Sequence, residues 1–136
     1  MSDCIFCKIV SGEISSSKVY EDAHCVAILD IRPVTPGHAL VITKKHSDSL
    51  TDMDEATSAG ILPAVAKVGK AVVKAAGAEG FNVIQNNGKA AGQLVAHLHF
   101  HIIPRKENDG LKLKWNQKPY PDGEMAVWLE KIKTNL

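Results

Sequence analysis

Seven residues, His97-Leu98-His99-Phe100-His101-Ile102-Ile103, constrain this chain more than any other stretch. Polar and apolar side chains alternate there. A β-strand repeats every two residues, so His97, His99 and His101 share one face while Leu98, Phe100 and Ile102 share the other. As a helix, the same run would scatter its histidines around the cylinder and bury none of its apolar residues cleanly. Two residues of strand rise set neighbouring imidazoles roughly 6.6 Å apart. Three separate acid, base or ligand groups then lie within reach of one phosphate-sized molecule. A strand with an apolar back also needs a sheet to join and a cover to pack against.

The remaining sequence supplies both. Residues 18–21 and 25–29 read as a hairpin turned by Asp22-Ala23-His24, with His24 solvated and Cys25 a small buried hydrophobe. Residues 39–43 and 81–86 are further apolar strands, and 94–103 is the histidine strand. Residues 47–77 carry a helical period through Leu62, Val65, Val72 and Ala76, with Gly69 where a neighbour approaches closely. Thr51 or Asp52 can cap its start, Gly77 stops it, and Pro63 can kink or divide it. Asp122 can cap a last helix over 124–134, with Met125, Trp128, Leu129 and Ile132 on one side, facing its own domain or a second subunit. Trp115 is the one bulky aromatic in the polar stretch before it, placed to anchor that segment.

The chain has 136 residues, 45% of them hydrophobic and 23% charged, as expected of one globular domain over 1–136. A formal net charge of +1 gives no strong pull toward nucleic acid or a membrane surface. Met1-Ser2-Asp3-Cys4 leads straight into the fold without a leader, and three cysteines do not make a secreted disulfide framework. These features point to a reducing, cytoplasmic setting.

Cys4-x-x-Cys7 is half of a tetrahedral zinc site, which usually needs four thiolate or imidazole donors. A redox pair or a local disulfide would use the same spacing. Six histidines could complete a metal site: His24, His38, His46, His97, His99 and His101. Spacing does not choose among them. Asp30, at a strand end, can accept two hydrogen bonds from a vicinal diol or bond its own turn. The loop from Asn86 through Gly88 and Gly92 to Gln93 offers amide and backbone donors to an anion, beside the histidine strand. Ile5, Phe6, Ile9, Val10 and Ile14 can form core or wall a pocket for a flat base.

His97-Leu-His-Phe-His101 matches the His-x-His-x-His signature of the histidine triad superfamily of nucleotide hydrolases and transferases. Cys4-Ile-Phe-Cys-Lys-Ile9, Asp30-Ile-Arg-Pro33, Pro36-Gly37-His38, Lys45-His46, Asn86 and Gly92-Gln93 extend the resemblance over nearly the whole chain. It implies an α+β fold: a five-stranded antiparallel sheet with one long helix, a short N-terminal helix and a C-terminal tail helix, usually as a homodimer. It implies hydrolysis at the α-phosphate of a nucleotide conjugate, an adenosine phosphoramidate or a dinucleoside polyphosphate, through a nucleotidyl-histidine on His99. Transfer to a second phosphate, or nucleotide binding with incidental hydrolysis, are the alternatives.

The resemblance also distributes roles. The His97 carbonyl would orient His99. His101 and Gln93 would contact phosphoryl oxygens, with the Leu94 N–H nearby, and either His101 or a water would protonate the leaving group. His38 would support the site from behind. Asp30 would bind ribose, Asn86 would lie near ribose and phosphate, and Phe6, Ile9, Ile14, Ile28 and Ile31 would line the pocket of a base, chiefly a purine. Cys4, Cys7, His46 and His97 would hold a structural zinc ion. Leu94 departs from the serine that the phosphoramidase branch carries beside its glutamine, and the tail after Arg105 is longer than in that branch.

Overall fold

The computed structural model describes residues 3–136. In chain order the elements are α1 (Ile5–Val10), β1 (Lys18–Glu21), β2 (Cys25–Leu29), β3 (Ala39–Thr43), α2 (Glu55–Ala76), β4 (Gly80–Ile84), β5 (His99–Arg105) and α3 (Glu124–Lys133). Single 3-10 turns occupy Leu50–Asp52 and Lys89–Ala91. The strands form one antiparallel sheet in the order β1-β2-β3-β5-β4. The expected α+β architecture is therefore present.

The two-residue period decides what each face of the sheet does. On one face Cys25, Ala27, Ala39, Val41, Leu98, Phe100 and Ile102 pack against Ile61, Ala64, Val65, Val68 and Val72 of α2. On the other, Val26, Ile28, Leu40 and Ile42 pack with Phe6 of α1. β5 lies between β3 and β4, with His99 opposite Ile42 and His101 flanked by Leu40 and Ile84. The histidines thus emerge on the face that α1 half covers.

Helix α2 is shorter than the 47–77 stretch of the sequence reading, and its buried stripe is differently phased. Asp54, not Thr51 or Asp52, is its N-cap, accepting the Thr57 N–H at 2.9 Å. Gly77 ends it in the left-handed conformation, φ 56°. Pro63 leaves it undivided, because Ile61 and Ala64 on either side are held in the core. Leu62 faces outward, and the buried stripe runs through Ile61, Ala64, Val65, Val68 and Val72 at three- and four-residue steps. At Gly69 the Phe81 ring comes so close that a Cβ would meet it at 2.7 Å. At Gly60 a Cβ would meet the His24 ring at 2.4 Å, so His24 is half-buried against α2 and not solvated. By length and hydropathy α2 could also span a membrane; here its apolar side is the core of the sheet.

Three other expectations are corrected. The strand begins at His99 and not at residue 94: the His97 N–H bonds the Val95 carbonyl and the Leu98 N–H bonds the Ser47 carbonyl, which draws this segment out of the ladder. At the C-terminus, Gly123 and not Asp122 is the N-cap of α3. No residue of α3 is buried, and Trp115 is exposed, so it anchors nothing within this chain.

Candidate active site and metal centre

Phe6 begins the site. It is held in the core by α1, and its ring edge meets His99 and His97 at centroid distances of 4.9 and 5.9 Å. His99 Nδ1–H donates to the His97 carbonyl at 2.6 Å. A carbonyl only accepts, so the proton is on Nδ1 and the Nε2 lone pair is free. His101 meets it edge-on, with ring centroids 5.0 Å apart and the planes at 62°.

The state of His101 follows from a chain of donors that starts in the backbone. The Val34 N–H donates to His38 Nδ1 at 3.2 Å. Nδ1 therefore carries no proton, and His38 Nε2–H donates to His101 Nδ1 at 2.9 Å. That leaves the His101 proton on Nε2. Asp30 Oδ2 lies 3.6 Å from His38 Nε2, while Oδ1 accepts the Arg32 N–H at 2.8 Å. The backbone thus fixes opposite tautomers on two adjacent imidazoles: His99 offers a lone pair and His101 a proton. Asp30, His38 and His101 also lie close enough together to suggest a cation site. The Val34 N–H argues against one, because a ligating His38 Nε2 would need its proton moved to Nδ1, against that donor.

Both imidazoles face a cavity of about 410 Å³. Phe6, Ile9, Ile14 and Ile28 line its apolar part, and Asp30, Ile31, Asn86 and Leu94 also line it. His38 is buried behind it. Gln93 is the exception among the candidate residues. Its Oε1 accepts the Gly88 N–H at 2.7 Å and its Nε2 donates to the Asp48 carbonyl at 2.6 Å. One end of its amide closes the 86–93 loop and the other ties that loop to Asp48, so it is not aimed at a phosphate here. Ser15, Ser16 and Ser17 line the cavity and were missed; the serine run between α1 and β1 was their only signal.

Burial sets the charge of this cluster. It lowers the pKa of His38 and His97 and takes that of His101 down to about 4, with help from neighbouring His99 and His38. In the unfolded chain these rings titrate near 6.5, so between about pH 6.5 and 4 the unfolded state binds more protons. Stability should fall as pH drops through that window. Urea midpoints at pH 7 and pH 5 test this: the lower value is expected at pH 5, with a smaller difference in His101→Gln.

A second cluster adjoins the first. Cys4, Cys7, His46 and His97 place one donor atom each within 4.8 Å of one another. Cys4 Sγ is 3.4 Å and Cys7 Sγ 3.5 Å from His97 Nδ1, and Cys7 Sγ is 3.2 Å from His46 Nδ1. His97 Nε2–H donates to the Thr43 carbonyl at 2.7 Å, and His46 Nε2–H donates to Asp48 at 2.9 Å. With both protons committed, the two Nδ1 lone pairs face each other at 3.1 Å. A cation among the four donors would satisfy both lone pairs at once. Two thiols, two imidazoles and outward-bonded second nitrogens fit a tetrahedral zinc ion. His97 joins the two clusters: its ring belongs to the metal set and its carbonyl to His99.

A larger apolar groove of about 510 Å³ lies between α2 and the first hairpin, with no histidine among its lining residues.

Comparison with known proteins agrees with this geometry. The HIT domain family model matches residues 11–108. Adenosine 5'-monophosphoramidase hnt1 of Schizosaccharomyces pombe is 45% identical over 134 residues, covering 98% of each chain. A HIT family protein from Bacillus subtilis superposes with a TM-score of 0.92 at 39% identity, over 99% of this chain and 98% of that one. A Zn-bound histidine triad family protein from Mycobacterium smegmatis superposes with a TM-score of 0.75 at 37% identity, over 98% of both chains. With most of its length matched by the family model and such relatives along nearly all of it, the chain belongs to the HIT domain family.

Proposed function

We propose that this protein is a nucleotide hydrolase that cleaves nucleotide conjugates at the α-phosphate through a covalent nucleotidyl-His99. The carrying observation is the 2.6 Å bond from His99 Nδ1–H to the His97 carbonyl, which leaves Nε2 unprotonated beside the cavity. Nε2 forms the bond to the α-phosphorus, and the bond to the leaving group breaks in line with it. His101 Nε2–H hydrogen-bonds a phosphoryl oxygen and keeps its proton, while a water molecule protonates the leaving group. The hydroxide so formed attacks the phosphorus, the bond to His99 Nε2 breaks and leaves His99 neutral with its Nδ1–H still on the carbonyl, and the nucleoside monophosphate is released. The relation to a monophosphoramidase at 45% identity supports an adenosine conjugate as substrate. The base lies against Phe6, Ile9, Ile14 and Ile28, a flat apolar space suited to a purine, and Asp30 takes the ribose hydroxyls.

Zinc belongs to this reading as a structural ion held by Cys4, Cys7, His46 and His97. With four protein donors, a bound ion would supply a crosslink between α1 and the segment entering β5, and no open position for water. A homodimer also belongs to it: Phe81 and Val83 on edge strand β4 and the apolar side of α3 are exposed in the single chain. The cytoplasm is its proposed location.

The test is an intact-mass spectrum quenched soon after mixing with an adenosine phosphoramidate. An increase of one adenylyl group, absent in His99→Ala, is expected. Release of adenosine monophosphate with no adduct, even from a slow-releasing analogue, would refute the covalent route.

A further inference from the structure

Cys4 and Cys7 carry a chemistry that a purely structural ion does not use. Cys4 is the N-cap residue of α1 and Cys7 lies in its first turn, three residues on. Side chains at those two positions meet across a helix start, which is what a capping box exploits. Here the two sulfurs lie within 4.8 Å of each other and of the His46 and His97 ring nitrogens. Both cysteines are half-buried, so a small solute reaches them, whereas Cys25 is fully buried. Burial, with the Asp22 carboxylate nearby, pushes the Cys25 thiol up to about 12 and keeps it protonated and inert. The chain thus holds one accessible pair of sulfurs and an inaccessible third. The pair also lies at the joint between the two clusters. α1 carries Phe6, whose ring is 4.9 Å from that of His99, and the His97 carbonyl holds His99 Nδ1–H at 2.6 Å.

We propose that Cys4 and Cys7 are an oxidation site: a peroxide converts the pair to a disulfide, the metal set loses half of its donors, and the nucleotide cavity loosens. This rests on the reading of Cys4, Cys7, His46 and His97 as a structural zinc site. One thiolate attacks the O–O bond of the peroxide and becomes a sulfenic acid; the second displaces that oxygen and closes the S–S bond. Two electrons pass from the sulfurs to one hydrogen peroxide, which takes up two protons and leaves as two water molecules. Disulfide sulfurs lack the charge that makes a thiolate a zinc ligand, and His46 with His97 is only half of a tetrahedral set. The new bond closes on α1 itself, because both cysteines belong to that helix and its cap. It does not replace the link to His46 and His97, so α1 loses its tie to the segment entering β5 and Phe6 is no longer held against His99. A disulfide of this kind in a reducing compartment is transient, reporting oxidation and not holding the fold.

The experiment uses the full chain loaded with zinc, treated with hydrogen peroxide in modest excess and followed with a chromogenic zinc indicator. Intact mass after alkylation in denaturant counts the thiols. The three cysteines should all be alkylated before treatment and only Cys25 after it, with a linked Cys4–Cys7 peptide and about one zinc ion released per disulfide. KM for an adenosine phosphoramidate should rise about tenfold as the Phe6 contact is lost, with a smaller change in kcat. A thiol reductant with added zinc should restore all of these readouts, and Cys25→Ala should respond as wild type does. Zinc retained with every thiol still alkylated, a Cys4–Cys7 disulfide that leaves zinc bound, or oxidation of Cys25 in their place overturns the inference and leaves the zinc site standing. An unchanged KM after zinc release overturns the coupling to the cavity. A chain that takes up no zinc overturns the zinc site and this inference together.

Discussion

His99→Ala should lower kcat for an adenosine phosphoramidate by about four to six orders of magnitude, the range seen when a covalent nucleophile is removed. The size of the effect follows from where the ring is. His99 is 8% exposed, pinned between Phe6 and His101, and its Nδ1 proton is held by the His97 carbonyl. Only its Nε2 is free to bond phosphorus, and His101 cannot substitute because its Nδ1 is occupied by His38. Alanine removes the lone pair and leaves the His97 carbonyl without that donor. The fold should survive, since His99 lies on the α1 face and not in the larger core under α2. A stability loss of about 1–3 kcal/mol is expected from the lost packing and the orphaned carbonyl. Single-turnover kinetics with a denaturation curve on the same preparation separates the two effects. A folded His99→Ala enzyme with kcat within tenfold of wild type would exclude His99 as nucleophile.

The second large effect concerns the metal. Removing zinc at neutral pH should cost about 4 kcal/mol or more, the linkage expected when a ligand is present at about 1,000 times its dissociation constant. The donors explain why the penalty cannot be relaxed locally. His97 is fully buried with its Nε2–H on Thr43, so its Nδ1 lone pair stays aimed at that of His46. Cys4 is the N-cap residue of α1 and Cys7 lies in its first turn, and this helix has only 6 residues and no side-chain cap hydrogen bond. So short a helix is not stable on its propensity alone. Its loosening would carry Phe6 away from His99 and open the apolar part of the cavity. Metal analysis, with denaturation before and after chelation, should find one equivalent of zinc and a lower midpoint without it. Cys7→Ser should mimic chelation, and KM should rise more than kcat falls. A metal-free protein with an unshifted midpoint would refute the structural role.

The sequence was sufficient for whatever depends on local period. Alternation at 97–103 separates Leu98, Phe100 and Ile102 from the histidines, and those three do enter the core beneath α2. The hairpin at 22–24, the strand at 39–43 and the stop at Gly77 are equally local, set by turn residues and backbone conformation. The residue types that could hold a metal were legible as well, although composition and spacing alone left six histidines open. What escaped depends on neighbours distant in sequence. Leu62 and Ile61 are equally apolar, and the phase of α2 against the sheet chose Ile61. Gln93 carries amide groups suited to a phosphate, yet Gly88 and Asp48 claim both ends.

Tautomers were the last thing the chain order could disclose. Residue type alone does not separate His99 from His101; the family resemblance put the nucleophile on His99. Their tautomers differ because folding brought the Val34 amide to His38, His38 to His101, and turned the His97 carbonyl onto His99. A ring proton's position is a matter of which donor or acceptor lies within about 3 Å. Sequence determined that three imidazoles would gather on one face; tertiary contacts decided which of them holds a lone pair and which holds a proton.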